Sequence, residues 1–180
     1  IHRAPDGFDR YAIFAKSTGR VYWGVRPEKG EGEAKGYRYD PATKKVELCP
    51  AVPHVRACTE ETVDGKVYGV SGNACDLWVM DVKTETVTPL GDGAPGRNTY
   101  VTSLDVDPSG RYLYYVPGAH GGGPREGTPV MQFDVKTRQR KVIVFMNALA
   151  DKVGAQFEGT FSTALSEKGD ILFVTWNMGR

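Results

Sequence analysis

A fixed repeat constrains this chain more than any other feature, because a recurring period of about 45 residues limits the folds it can adopt to stacked or radially arranged units. Four short turns of polar residues and glycine occur, at Ser17-Thr18-Gly19, Val63-Asp64-Gly65, Pro108-Ser109-Gly110 and Lys168-Gly169-Asp170. Their glycines lie 46, 45 and 59 residues apart. Directly after each turn comes a β-branched and aromatic run, at residues 20–25, 66–70, 111–116 and 171–176. Such runs fit the pleated, half-buried surface of a strand.

A second marker recurs three times, as Tyr39-Asp40-Pro41-Ala42-Thr43-Lys44, Met80-Asp81-Val82-Lys83-Thr84-Glu85 and Phe133-Asp134-Val135-Lys136-Thr137-Arg138. Each reads as a strand that ends in a tight corner, where short Asp and Thr side chains bond the turn's own backbone amides. A further strand follows each corner, at residues 45–48, 86–90 and 140–145. The result is four strands, A to D, per repeat.

Four antiparallel strands per repeat make the sheet of one propeller blade. These blades resemble those of the broad β-propeller superfamily, which includes tryptophan-aspartate repeats, surface-layer and YVTN-type repeats, sugar-lactone hydrolases and streptogramin lyases. The expected fold is therefore all-β, a β-propeller of about three and a half four-stranded antiparallel blades, at about residues 8–49, 54–91, 99–146 and 159–180 of a single partial domain, 1–180. Of the fourth blade only strands A and B are expected in these residues. The expectation is a piece of a six- to eight-bladed ring whose other blades come from the rest of the chain or from another chain; Ile1 in place of Met agrees with a processed start or a fragment.

Composition removes several function classes. Lys plus Arg number 23 against 22 Asp plus Glu, and the charges are interspersed, so no basic surface for nucleic acid is built. The longest apolar runs, such as residues 142–146, fall far short of the roughly 20 residues a membrane span needs. Cys49, Cys58 and Cys75 are an odd number at spacings that match no paired zinc signature. Buried free thiols are the first expectation, and one disulfide with a leftover thiol is the alternative in an exported protein. The sequence leaves the compartment open, with the periplasm or exterior favoured.

Alternating strands sort the connections onto two faces: A–B and C–D turns on one, B–C loops and D–A connections on the other. Propeller sites usually lie, by resemblance, on the second. That loop face collects residues 28–36, 50–55, 71–74, 92–99, 118–127 and 148–158. On it fall His54 and His120, with Arg97, Asn98, Arg125, Glu126, Trp176 and Asn177, and the three cysteines are expected near its base. Aligning strand A on the turn glycines puts Arg10 and Arg56 in register at the mouth of the central channel, where guanidinium forks suit a carboxylate or phosphate. The competing reading ties these arginines to Asp9, Glu60 or Glu61 in salt bridges. The same alignment stacks Ala12, Cys58, Ser103 and Ser162, small residues suited to crowding around an axis; no G-x-S-x-G elbow marks either serine as a nucleophile. Asp105-Val106-Asp107-Pro108-Ser109-Gly110 lacks the distal glutamate of a calcium loop and reads as turn chemistry.

Two functions compete. The first is a non-catalytic module whose loop face binds a protein, peptide or carbohydrate. The second is a propeller lyase or lactone hydrolase, in which His54 and His120 hold a divalent metal or act as catalytic residues on a carboxylated or sugar-derived substrate.

Overall fold

The computed structural model describes residues 11–26, 34–72, 74–97, 99–119, 126–154 and 159–176. Among them lie fourteen strands and one helix. Three four-stranded antiparallel sheets follow one another along the chain, each with its strands in simple sequence order, and a two-stranded sheet ends the series. The first sheet comprises β1 (Ile13–Phe14), β2 (Val21–Val25), β3 (Lys35–Asp40) and β4 (Lys45–Leu48). The second comprises β5 (Val55–Cys58), β6 (Lys66–Ser71), β7 (Asp76–Asp81) and β8 (Thr86–Asp92). β9 (Leu104–Val106), β10 (Tyr112–Tyr115), β11 (Pro129–Asp134) and β12 (Gln139–Phe145) form the third, and β13 (Gly159–Leu165) pairs with β14 (Ile171–Trp176) in the last.

The hydrophobic core lies between sheets, and the strand period of two explains how one sheet serves two neighbours. In the second sheet the cross-strand pair Val67 and Met80, with Val55 beside it, turns toward the first sheet, where it joins Ile13 and Tyr22. The pair Val70 and Leu77 turns the other way and packs with Leu104, Leu113, Tyr115, Met131 and Phe133 of the third. Tyr22, Met80, Leu113 and Tyr115 are fully buried there. Most strand aromatics thus serve packing between blades, as their position after the turn glycines implies.

The recurring Asp marker has a double role. One oxygen of Asp40 accepts the amides of Ala42 and Thr43, one of Asp81 accepts Thr84 N–H, and one of Asp134 accepts Lys136 and Thr137 N–H. The other oxygen reaches the basic residue that follows the turn glycine: Arg20 for Asp40 at 3.0 Å, Lys66 for Asp81, and Arg111 for Asp134 at 2.7 Å. Each carboxylate therefore clamps the C–D corner to the start of strand B. The fourth repeat has Asp170 at the basic position, and there Ser166 Oγ accepts the Asp170 amide. In the A–B turn of the third blade Asp107 accepts Ser109, Arg111 and Tyr112 N–H, the turn chemistry expected of it.

Two features depart from the sequence reading. The D–A connection assigned to 148–158 opens within a helix not anticipated in the sequence, α1 (Met146–Val153), which good helix formers such as Met146, Leu149 and Ala150 support and Gly154 at φ 66° ends. Cys58 lies at the end of β5 that leads into the A–B turn, away from the loop face, with its thiol toward Ala12 O; Cys49 and Cys75 do flank the loop side. All three are free thiols, and burial pushes Cys58 up to about 11 and Cys75 up to about 12.

The last residue of each Asp corner sits in the left-handed region, Lys44 at φ 56°, Glu85 at 56° and Arg138 at 58°. Glycine relieves that conformation, so Lys44→Gly is expected to raise stability by about 1 kcal/mol. Glu85 is different, because its carboxylate also accepts Tyr22 Oη–H, Arg20 and Arg38 across the blade boundary. Glu85→Gly is expected to lower stability by about 2 kcal/mol. Opposite signs in paired urea titrations are the check.

A second expectation concerns acid. The neighbouring Lys66 ammonium holds Asp81 down to about 2, and Arg111 does the same for Asp134. An unfolded aspartate titrates near about 3.9, so these carboxylates add stability above that value and lose it as pH falls toward about 2. Asp134→Asn should therefore be less stable than the parent at neutral pH, with a shallower fall in Tm on acidification from about pH 5 to about pH 2.

Candidate functional site

The connection between the first two blades lies on a pair of glycines. Gly24 in β2 and Gly36 in β3 are cross-strand partners. A Cβ on Gly24 would stand 2.0 Å from Pro53 O, and one on Gly36 would stand 2.2 Å from Cys49 O. The connection can cross the sheet only because both side chains are missing, and this contact sets where His54 and Arg56 emerge. His54 is buried, and its Nδ1 accepts Gly72 N–H at 3.3 Å. That bond ties the connection to the B–C loop of the second blade.

Arg56 follows at an irregularity in the ladder. Val55 pairs with Ser71 and Ala57 with Val70, so Arg56 is the extra residue of a β-bulge. Bulges re-aim a side chain. Here the guanidinium carbon lies 4.0 Å from the ring centroid of Tyr100 and 5.2 Å from that of Tyr11. These tyrosines come from the neighbouring blades on either side in chain order. Arg56 is 9% exposed, its Nε is buried without a hydrogen-bond partner, and no ion pair among the described residues involves it. The acids expected to neutralise it point elsewhere, since Glu60 pairs with Lys16 and Glu61 accepts Ser17 N–H and Oγ–H. Asp9 and Arg10 lie outside the described residues.

Tyr100 connects this cation to the third blade. Its carbonyl accepts Gly118 and Ala119 N–H, at 2.9 and 3.1 Å, which secures the start of the B–C loop. At the loop's end the Glu126 carboxylate accepts Arg97 N–H at 2.8 Å. Thr128 is fully buried at φ 51°, a rare conformation for a β-branched residue, and its hydroxyl donates to Asn147 Oδ1 at the start of α1. Strain of this kind, of order 1–3 kcal/mol, persists only where the surroundings hold it.

Of the residues singled out in the sequence, His54, Arg56, Arg97 and Glu126 are among those described: His54 accepts Gly72 N–H, Arg56 packs on Tyr100, and Glu126 accepts Arg97 N–H. Trp176 ends β14, its backbone paired with Gly159. His120, Asn98, Arg125 and Asn177 lie outside the described residues. Tyr11, Tyr100 and Thr128 were not singled out. The first two sit within one residue of the strand-A position that Arg56 occupies in the repeat, and aromatic residues flanking a lone arginine column were the available signal. Thr128 left none, since its φ depends on tertiary context. Among the described residues no group of three His, Cys, Asp or Glu side chains is placed to hold a metal ion, and no helix is long and apolar enough to cross a membrane.

No protein-family model matches this sequence, and no curated protein does. Solved structures do. The β-propeller domain of Cps50 (Swd1) from Myceliophteria thermophila superposes with a TM-score of 0.63 at 11% identity, over 97% of this chain and 51% of that one. A chain of the nidogen/laminin complex gives 0.60 at 10% identity, over 91% and 55%. TolB from Acinetobacter baumannii gives 0.57 at 13% identity, over 94% and 38%. The fold is that of β-propeller blades, and this chain spans about half the length of the first two neighbours and less of the third.

Because Gly24 faces backbone and not a flexible side chain, Gly24→Ala is expected to destabilise the protein by about 1–3 kcal/mol and to shift the amide resonances of His54 and Gly72. An unchanged unfolding midpoint in urea would mean that the connection does not rest on the sheet.

Proposed function

We propose that the chain is a non-catalytic binding module whose loop face, built from the B–C loops and the D–A connections, docks a protein or peptide partner. The contrast between the two faces carries this reading. On the turn face the corner carboxylates are consumed by backbone amides and by Arg20, Lys66 and Arg111, which leaves little polar chemistry to offer a ligand. The loop face is held rigid by bonds between loops, stores strain at Thr128, and keeps a buried cation with no anion among the described residues. Preorganised loops lose little entropy on binding, which suits recognition. A complex such as that of nidogen with laminin is an instance of a neighbouring fold found with a protein partner.

The hydrolase or lyase reading has no comparable support. His54 spends Nδ1 on Gly72 N–H, and among the described residues no group of three His, Cys, Asp or Glu side chains is placed to hold a metal ion.

Photo-crosslinking in the native cell extract tests the proposal. A benzophenone amino acid would be placed at the exposed loop-face positions Ala51 and Pro95 and at the exposed turn-face positions Thr43, Lys83 and Lys136. Adducts of the same mass are expected from Ala51 and Pro95, with none from the turn set. Adducts confined to the turn set, or equal in both, would overturn the assignment.

A further inference from the structure

Burying an arginine without an acceptor is costly, because the cation leaves water and nothing replaces its hydrogen bonds. Proteins keep such groups where a bound ligand restores what burial removed. Arg56 meets that description more fully than any other cation among the described residues. Arg20, Arg38, Lys66, Arg111 and Arg140 all hold carboxylates, whereas Arg56 holds none among those residues.

We propose that Arg56 is a seat for a carboxylate group presented at the mouth of the blade axis. The inference rests on the loop-face reading above and names the chemistry that face recognises. Three independent features of the chain converge on it. The β-bulge takes Arg56 out of the ladder and so frees its side chain from the alternation that governs β5. Tyr11 and Tyr100 hold the guanidinium by its π-system, an interaction that leaves the in-plane N–H donors unspent. Finally, Nε is buried and unbonded and neither Nη makes a hydrogen bond among the described residues, so the fork keeps its donors for an acceptor that reaches the Nη edge.

The geometry selects the acceptor. With the Tyr100 and Tyr11 ring centroids 4.0 and 5.2 Å from the guanidinium carbon, little room is left beside the cation, and a compact planar carboxylate matches its parallel N–H donors. Phosphate or sulfate offers the fork similar oxygens but carries up to twice the charge, which costs more to take out of water at a covered site. The carboxylate can come from a free acid or from an Asp or Glu side chain of a partner. Both place the same two oxygens against the same edge.

The experiment uses the intact protein in chloride buffer, labelled for observation of the arginine Nε–Hε resonances and the backbone amides. Sodium acetate is titrated at constant ionic strength, alongside inorganic phosphate and a capped peptide of four glutamates. The seat predicts a saturable shift of the Arg56 Nε–Hε resonance with acetate, weaker by about tenfold with phosphate. Tighter binding of the peptide than of acetate identifies a partner side chain as the source, and equal or weaker binding identifies a free acid. In Arg56→Met, read through the amides of Val55 and Ala57, the acetate response disappears while Tm in chloride stays level or rises, since an unpaired cation has been removed. A fall in Tm of the size expected for breaking an internal ion pair would overturn the proposal, as would acetate binding that appears only in Asp9→Asn, because either result makes Asp9 the resident partner. An equal response to phosphate and acetate, or none to acetate, also overturns it. Cross-links retained at Ala51 and Pro95 alongside a silent acetate titration would remove the seat and leave the loop-face reading standing.

Discussion

The carboxylate of the recurring Asp corner is the interaction on which the rest of this structure depends. In Asp40, Asp81 and Asp134 one side chain closes a turn with one oxygen and grips the base of strand B with the other. It thereby fixes the register of strands B, C and D, and a register slip of one residue would invert every side chain between the two faces of a blade. With the register fixed, Val67 and Met80 must turn one way and Val70 and Leu77 the other, and the blades can stack. Glu85 extends the same chemistry across a boundary, joining the corner of the second blade to Arg20, Arg38 and Tyr22 of the first.

Stacked blades then decide where chemistry can reside. Turns on one side are short and satisfy themselves. The longer connections gather on the other side, and their contacts join each incoming connection to the B–C loop of the blade it enters: His54 with Gly72, Tyr100 with Gly118 and Ala119, and Arg97 with Glu126. The paired glycines 24 and 36 show how closely backbone must approach backbone for this to work. Arg56 is the consequence of greatest functional weight, a cation placed by a bulge between tyrosines of two neighbouring blades.

The blade repeat was legible because its determinants are local. A glycine turn, a β-rich run and an Asp corner each announce themselves within six residues, and the faces follow from strand alternation. The clamp went unread, although its parts stand in the sequence as a basic residue after the turn glycine and an Asp 15 to 23 residues later. The site was legible in part. Position in the repeat was enough to single out Arg56, but its aromatic neighbours lie 45 and 44 residues away in sequence, and Glu60 and Glu61 were plausible counter-ions until their partners were known. Thr128 and α1 depend on tertiary context: a strained φ held by Asn147, and a helix whose first amides bond Thr128 and Gly127 carbonyls. No period in the sequence encodes either.

A crystal structure of the intact protein grown without organic acids is the most direct measurement of the central claim, that the loop face holds a buried arginine free to meet an anion. The account predicts Val55 paired with Ser71 and Ala57 with Val70, the Arg56 guanidinium carbon about 4.0 Å from the Tyr100 ring centroid, and Nε without a protein acceptor. A regular ladder through Arg56, or its guanidinium bonded to a carboxylate of this chain, would contradict it.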